Sequence, residues 1–319
     1  MSASRAALFL ALLALGLLTV ARAQQPGPPR ALPGPFPPAQ PGTFPAHWSD
    51  GTACASEPAL QVHAYNEDLY ILRQGPCSSV FAPFLYLFFG ADRALLLDTG
   101  APGAPTLPVA ATVLPLVTGY MSAHGLASYE LVVAHSHDHP DHTFNDAQFA
   151  GQPLVTYVAP DLASMQAFFG FTSWPDQTVT FDLGERVIDL IPTPGHQAAG
   201  LTLYDRRTHL LFTGDLVFPG HLYVFTPGEW PAFAASIARV AAWSASHPVK
   251  WVLGGHVEMS TTRGVVYPFG STSHPAEHPL QLAPEILGEL DAALAALGGA
   301  PACLTLDECV LQPVFLCGL

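Results

Sequence analysis

The sequence predicts an α/β fold in which helices cover two packed sheets. Three observations carry that expectation. Apolar runs of strand length dominate each half of the chain. Stretches with helical apolar spacing interrupt those runs instead of gathering at one end. Half of the 319 residues are apolar, so a substantial core can be buried. Helix and sheet each have to bury one face, and stacking them in layers does so.

In chain order, residues 60–65 and 69–73 read as short strands. The apolar-aromatic run 80–89 and the run 94–97 flank a turn at Gly90-Ala91-Asp92, the pattern of a hairpin. The second run ends at Asp98-Thr99-Gly100. Residues 107–121 have helical spacing despite Pro108 and Pro115. A strand at 131–134 leads into a histidine-rich run, 154–158 is a strand and 161–168 a helix. Four strands follow at 178–181, 187–191, 201–204 and 210–212. A helix at 229–246, a strand at 251–253 and a helix at 284–297 precede a cysteine-containing tail.

Residues 1–23 read as a secretory signal peptide. A short positive start precedes an apolar stretch from 6 to 21, and Ala21-Arg22-Ala23 offers the small residues a signal peptidase reads. The apolar stretch is shorter than the roughly 20 residues that span a bilayer. The expectation is a secreted or periplasmic protein with no stable membrane insertion after cleavage. Residues 24–48 are crowded with proline, which forms neither helix nor ladder, and read as a disordered arm. One domain is expected over 49–319.

The formal charge is −14, from 25 acidic and 11 basic residues, with Lys250 the only lysine. No basic cluster exists to displace counterions from phosphates, which excludes a nucleic-acid binder. The same balance disfavours anionic membranes. The oligomeric state is not legible. Export makes disulfides plausible among the five cysteines. Cys54 and Cys77 are a local pair, and two of Cys303, Cys309 and Cys317 can form another. An odd count leaves one thiol over.

The chemistry concentrates in His137-Asp138-His139-Pro140-Asp141-His142, directly after a buried strand. Imidazole nitrogens and carboxylate oxygens are ligands of zinc and similar ions. On a tight loop His137 and His139 can face one ion while Asp141 and His142 turn toward a second. Pro140 restricts the backbone between them. Three further sites repeat one design, a strand followed by a glycine turn and a ligand-type side chain. They are Pro194-Gly195-His196, Thr213-Gly214-Asp215 and Gly254-Gly255-His256. His135 and Asp138 fall outside the pattern.

From about residue 80 to His256 this set resembles the metallo-β-lactamase superfamily, whose signature is His-x-His-x-Asp-His followed by further His, Asp and His ligands. The resemblance implies a four-layer αβ/βα sandwich with two divalent ions between the sheet edges. Zinc is the first choice, and iron or manganese accept the same ligands. It implies that His137, His139 and His196 hold one ion and that Asp141, His142 and His256 hold the other. Asp215 would bridge both, and Asp98 would orient a ligand imidazole. The implied activity is hydrolysis of a small-molecule substrate by a metal-bridging hydroxide, with Asp141 as a catalytic carboxylate that orients the nucleophile or shuttles a proton.

A bridging-type Asp215 implies the branch that cleaves thioesters, lactones or phosphodiesters rather than the antibiotic-degrading enzymes. Few basic residues in the C-terminal third count against a glutathione thioester. Two loops are expected to shape the pocket, one with Phe218, His221, Tyr223 and Phe225, the other with Tyr267, Phe269, His274 and His278. Such side chains suit an uncharged or weakly polar ester, lactone or amide-like substrate. The competing readings are a β-lactam hydrolase, a di-iron redox protein and a non-catalytic metal-binding protein.

Overall fold

A computed structural model describes residues 38–104 and 106–319. The leader and the first part of the proline-rich arm lie outside the described residues. Strands β1 (Leu60–Asn66), β2 (Leu69–Gln74), β3 (Phe84–Phe89), β4 (Arg93–Leu97), β5 (Glu130–Ala134) and β6 (Val155–Tyr157) form a sheet in that order. Its first four strands pair antiparallel and its last three parallel. The second sheet holds β7 (Val179–Asp182), β8 (Val187–Pro192), β9 (Leu201–Asp205), β10 (Leu210–Gly214), β12 (Trp251–Gly254) and β13 (Gln281–Leu282). A small third sheet joins β11 (His221–Val224) to β15 (Val310–Pro313) and β14 (Leu304–Thr305).

The helices are α1 (Val109–His124), α2 (Pro140–Thr143), α3 (Leu162–Phe169), α4 (Trp230–Ser246), α5 (Glu285–Ala296) and α6 (Val314–Cys317). Three cores separate the layers, and β3 shows how sequence sorts side chains among them. Every residue of Phe-Leu-Tyr-Leu-Phe-Phe is buried because both faces of the strand are covered. Successive side chains point to opposite faces. Phe84, Tyr86 and Phe88 therefore enter the core between the sheets, where they meet Leu190, Leu203 and Phe212. Leu85, Leu87 and Phe89 enter the outer core with Val109, Val113 and Val117 of α1. On the far side Leu211 and Val252 pack with Phe233 and Ile237 of α4 and Leu287 and Leu290 of α5. The order is helix, sheet, sheet, helix, as expected. Truncating one of the central phenylalanines to alanine would cost about 3–5 kcal/mol.

One buried cation ties the sheets together. Arg186 pairs with Asp205 at 2.6 Å and donates to the backbone carbonyls of Asp68 and Phe89 across the interface. Burial disfavours the Asp205 charge, but the guanidinium outweighs it and holds the carboxyl below its usual range.

The disordered-arm expectation fails for residues 38–48. Gln40 donates its N–H to the Arg207 carbonyl, and Thr43 donates to that of Tyr65. His63 donates back to the Thr43 carbonyl at 2.6 Å. Trp48 is buried edge-on against Phe84. Proline removes donors, but the residues between the prolines keep theirs, and the aromatic side chains find apolar surface. The folded unit thus begins before residue 49. The strands β11 and β13–β15 are short and carry no sequence signal of their own; β11 and β13 pair with partners far away in the chain, and β14 with the neighbouring β15. Two disulfides form, Cys54–Cys77 and Cys303–Cys317, and Cys309 remains as a buried thiol.

Candidate metal centre

Four of the candidate ligand side chains follow the ends of strands, three of them (β8, β10 and β12) running the same way in the second sheet. His137 follows β5, His196 follows β8, Asp215 follows β10 and His256 follows β12. His139 is the extended N-cap of α2, and Pro140 opens that single turn, which presents Asp141 and His142. Gly195 sits at φ 140°, and a Cβ there would lie 2.3 Å from the Phe233 backbone, so only glycine makes this turn. Gly255 brings its backbone against the ligands themselves. A Cβ on it would fall 2.4 Å from Asp215 Oδ1.

Two clusters result, His137–His139–His196 and Asp141–His142–Asp215–His256. Within each, one potential ligand atom per residue lies within 4.8 Å of all the others. In the histidine trio, His139 Nδ1 stands 3.0 Å from His137 Nε2 and 2.9 Å from His196 Nε2. In the quartet, His142 Nε2 and His256 Nε2 are 3.2 Å apart. Asp215 lies between the clusters. Its Oδ2 is 3.9 Å from His137 Nε2 and 3.5 Å from His196 Nε2. Its Oδ1 is 3.3 Å from His142 Nε2 and 3.4 Å from His256 Nε2. All seven residues expected from sequence come together here.

The outward ring nitrogens decide what the inward ones can do. A carbonyl oxygen only accepts, so His196 must donate its Nδ1–H to Tyr223 O at 2.9 Å. His256 likewise donates to Phe81 O at 2.7 Å, and His142 donates to Asp98 Oδ2 at 2.9 Å. The Ser136 hydroxyl donates to Asp98, so its oxygen accepts from His137 Nδ1 at 3.1 Å. In the neutral tautomer each of these four rings then turns a bare Nε2 lone pair inward. Lone pairs facing one another have nothing to share but a cation. Asp215 Oδ1, buried, has no hydrogen-bond partner. This donor set fits two borderline divalent ions.

Asp98 plays the expected orienting role and more. It accepts from the Ser136 N–H and hydroxyl and from His142, so it steadies one ligand in each cluster. Ser136 was not anticipated, since a serine before a histidine carries no signal. His135 bonds to Asp146 at 2.9 Å instead, and Asp138 is exposed.

The two clusters differ in charge. Burial, reinforced by neighbouring imidazoles, holds His137 well below its usual range and His139 down to about 4. In the quartet burial opposes charge but loses to the opposite charges nearby. His142 and His256 hold Asp141 down to about 2, and Asp215 and Asp141 push His256 up to about 10. Protons and a metal ion therefore compete for the same quartet nitrogens.

A cleft of about 360 Å³ opens over the clusters. Of the aromatic residues expected around it, Phe218, Tyr223, Phe225 and Phe269 line it. The other four do not. His221 bonds to Glu258, Tyr267 stacks on His274, and His278 pairs with Glu308. Phe81 and Glu258 also line the cleft and were missed.

A family model described as Metallo-beta-lactamase superfamily matches residues 79–256. No curated protein matches the chain. Among solved structures, a metallo-beta-lactamase from Pontibacter korlensis is 17% identical at a TM-score of 0.46, covering 74% of this chain and 99% of its own. A mono-zinc metallo-beta-lactamase from Pseudomonas aeruginosa is 14% identical at 0.47, covering 76% and 98%. A metallo-beta-lactamase family protein from Thermus thermophilus is 18% identical at 0.44, covering 76% and 86%.

Proposed function

We propose that this chain, which belongs to the metallo-beta-lactamase superfamily, is an exported dinuclear hydrolase of an uncharged ester, lactone or related acyl substrate. The observation that carries the reading is Asp215, which offers one carboxylate oxygen to each ligand cluster. Two divalent ions held there, zinc first, would polarise a substrate oxygen and acidify a water toward neutral pH.

The chain's own residues supply the rest. Asp215 sets the spacing of the two halves, and Asp98 fixes the rings of His142 and His137. Asp141 lines the cleft beside His256 and is ionised, so it can orient a water and accept its proton at a carboxylate oxygen. Phe218, buried against His256, keeps bulk solvent from that side of the site, which strengthens the charge interactions there. Among the described residues no lysine or arginine lines the cleft. That favours a neutral acyl group over a phosphodiester or a carboxylate-bearing lactam. Export rests on the leader at residues 1–23, and two disulfides support it.

The test is metal analysis of the purified full chain joined to a panel of lactone, aryl ester, thioester, phosphodiester and cephalosporin. About two ions per chain and turnover of the lactone or ester are expected. Less than one ion per chain, or turnover confined to the cephalosporin or phosphodiester, sinks the reading.

A further inference from the structure

The mouth of the cleft carries apolar surface that the chemistry at its floor does not use. Phe81, Phe225 and Phe269 are 37%, 39% and 57% exposed although all three line the cleft. A smaller groove shares Phe81, Glu258 and Phe269 with it and adds Val80, itself 37% exposed. Large aromatic side chains left open at a binding site mark apolar ligand surface.

The rings form two walls, and each stands on one ligand cluster. Phe225 packs against His139 and His196 at centroid distances of 5.6 and 5.4 Å, and stacks with Tyr223. Opposite, Phe218 packs on His256 at 5.5 Å, while Phe81 meets Phe269 edge-on at 6.2 Å. Among the described residues Glu258 is the one charged side chain of the lining outside the candidate ligands, and it already accepts from His221. Among the described residues no lysine or arginine stands there to pair with an anionic tail.

We infer, resting on the hydrolase reading above, that the substrate is amphiphilic. Its acyl carbon sits at Asp215 and its uncharged apolar arm runs outward between the Phe225 wall and the Phe81–Phe269 pair. Continuity with the cleft floor makes the occupant part of the substrate itself. The net charge of −14 argues against an anionic lipid surface as the alternative.

Two measurements on the metal-loaded full chain test this. Calorimetry with 1-alkanols from butanol to octanol needs no turnover. Affinity is expected to rise about 2- to 4-fold per added methylene. The second is kcat/KM for 4-methylumbelliferyl acetate, butyrate and octanoate, expected to climb in the same order. Phe269→Ser should flatten both gradients, and Phe225→Ser should do so independently. If the esters are not cleaved but the alkanol gradient exists and Phe269→Ser removes it, the apolar arm site stands and the hydrolase reading fails. A flat alkanol gradient in the native protein, or one that neither substitution alters, overturns the inference. So does an effect of Phe269→Ser confined to binding of phosphatidylcholine vesicles.

Discussion

The two halves of the candidate metal centre sit side by side and are built on opposite electrostatic plans. The trio His137, His139 and His196 offers three imidazoles, with His137 and His139 held neutral by burial and mutual repulsion. The quartet adds the carboxylates of Asp141 and Asp215 to His142 and His256, and those imidazoles are drawn toward protonation. His137 and His139 are ready to bind as they stand, whereas the quartet imidazoles must first shed protons. Equivalent-looking ligand runs in the sequence thus become unlike sites once burial and neighbouring charge are known.

The sharpest way to break the contrast is to remove what the halves share. Asp215→Asn should lower metal content in both and reduce hydrolysis on the order of 10³-fold, since several kcal/mol of metal-based stabilisation is lost. Metal analysis and ester turnover check it; loss from one half alone would show that Asp215 does not join them.

The pH dependence separates the halves without mutation. His256 is pushed from 6.5 up to about 10, so in chelator-treated protein its pairing stabilises fully below about pH 6.5 and is lost as pH rises through about 10. His256 alone should therefore tighten metal uptake by the quartet by up to about tenfold per pH unit across that window, and His142, also drawn toward protonation, should steepen it. His139, held at about 4, is already neutral there and should add nothing to the slope. Chelator-competition titrations at stepped pH would read both slopes.

Asp98→Asn tests support from outside. It touches His142 directly and His137 through Ser136, so both affinities should fall about 10- to 100-fold. Ser136→Ala should be smallest, a few-fold loss weighted toward the trio, because only His137 leans on that hydroxyl. An equal loss in both halves would place Ser136 in a general structural role.

The ligands themselves were legible because they stand in one short run and in three strand-end glycine turns. The layers were legible because strands such as β3 are apolar throughout. What stayed hidden depends on contacts distant in the chain. Phe81 O meets His256 across 175 residues, and Tyr223 O meets His196 across 27. No local pattern marks a residue whose carbonyl will orient a ligand. β11 was hidden in the same way, since its partner β15 lies near the other end of the chain. The arm at 38–48 misled because proline content outweighed the aromatic residues among it, and Trp48 is buried.

Phe81 and Tyr223 divide their labour within a single residue. The backbone oxygen orients a candidate metal ligand, and the ring faces the cleft. A substitution changes the ring and leaves the oxygen. Selection can therefore reshape what the cleft accepts at these two positions while the hydrogen bonds that hold His256 and His196 persist, so new specificities are open to this scaffold through changes that keep its candidate metal centre intact.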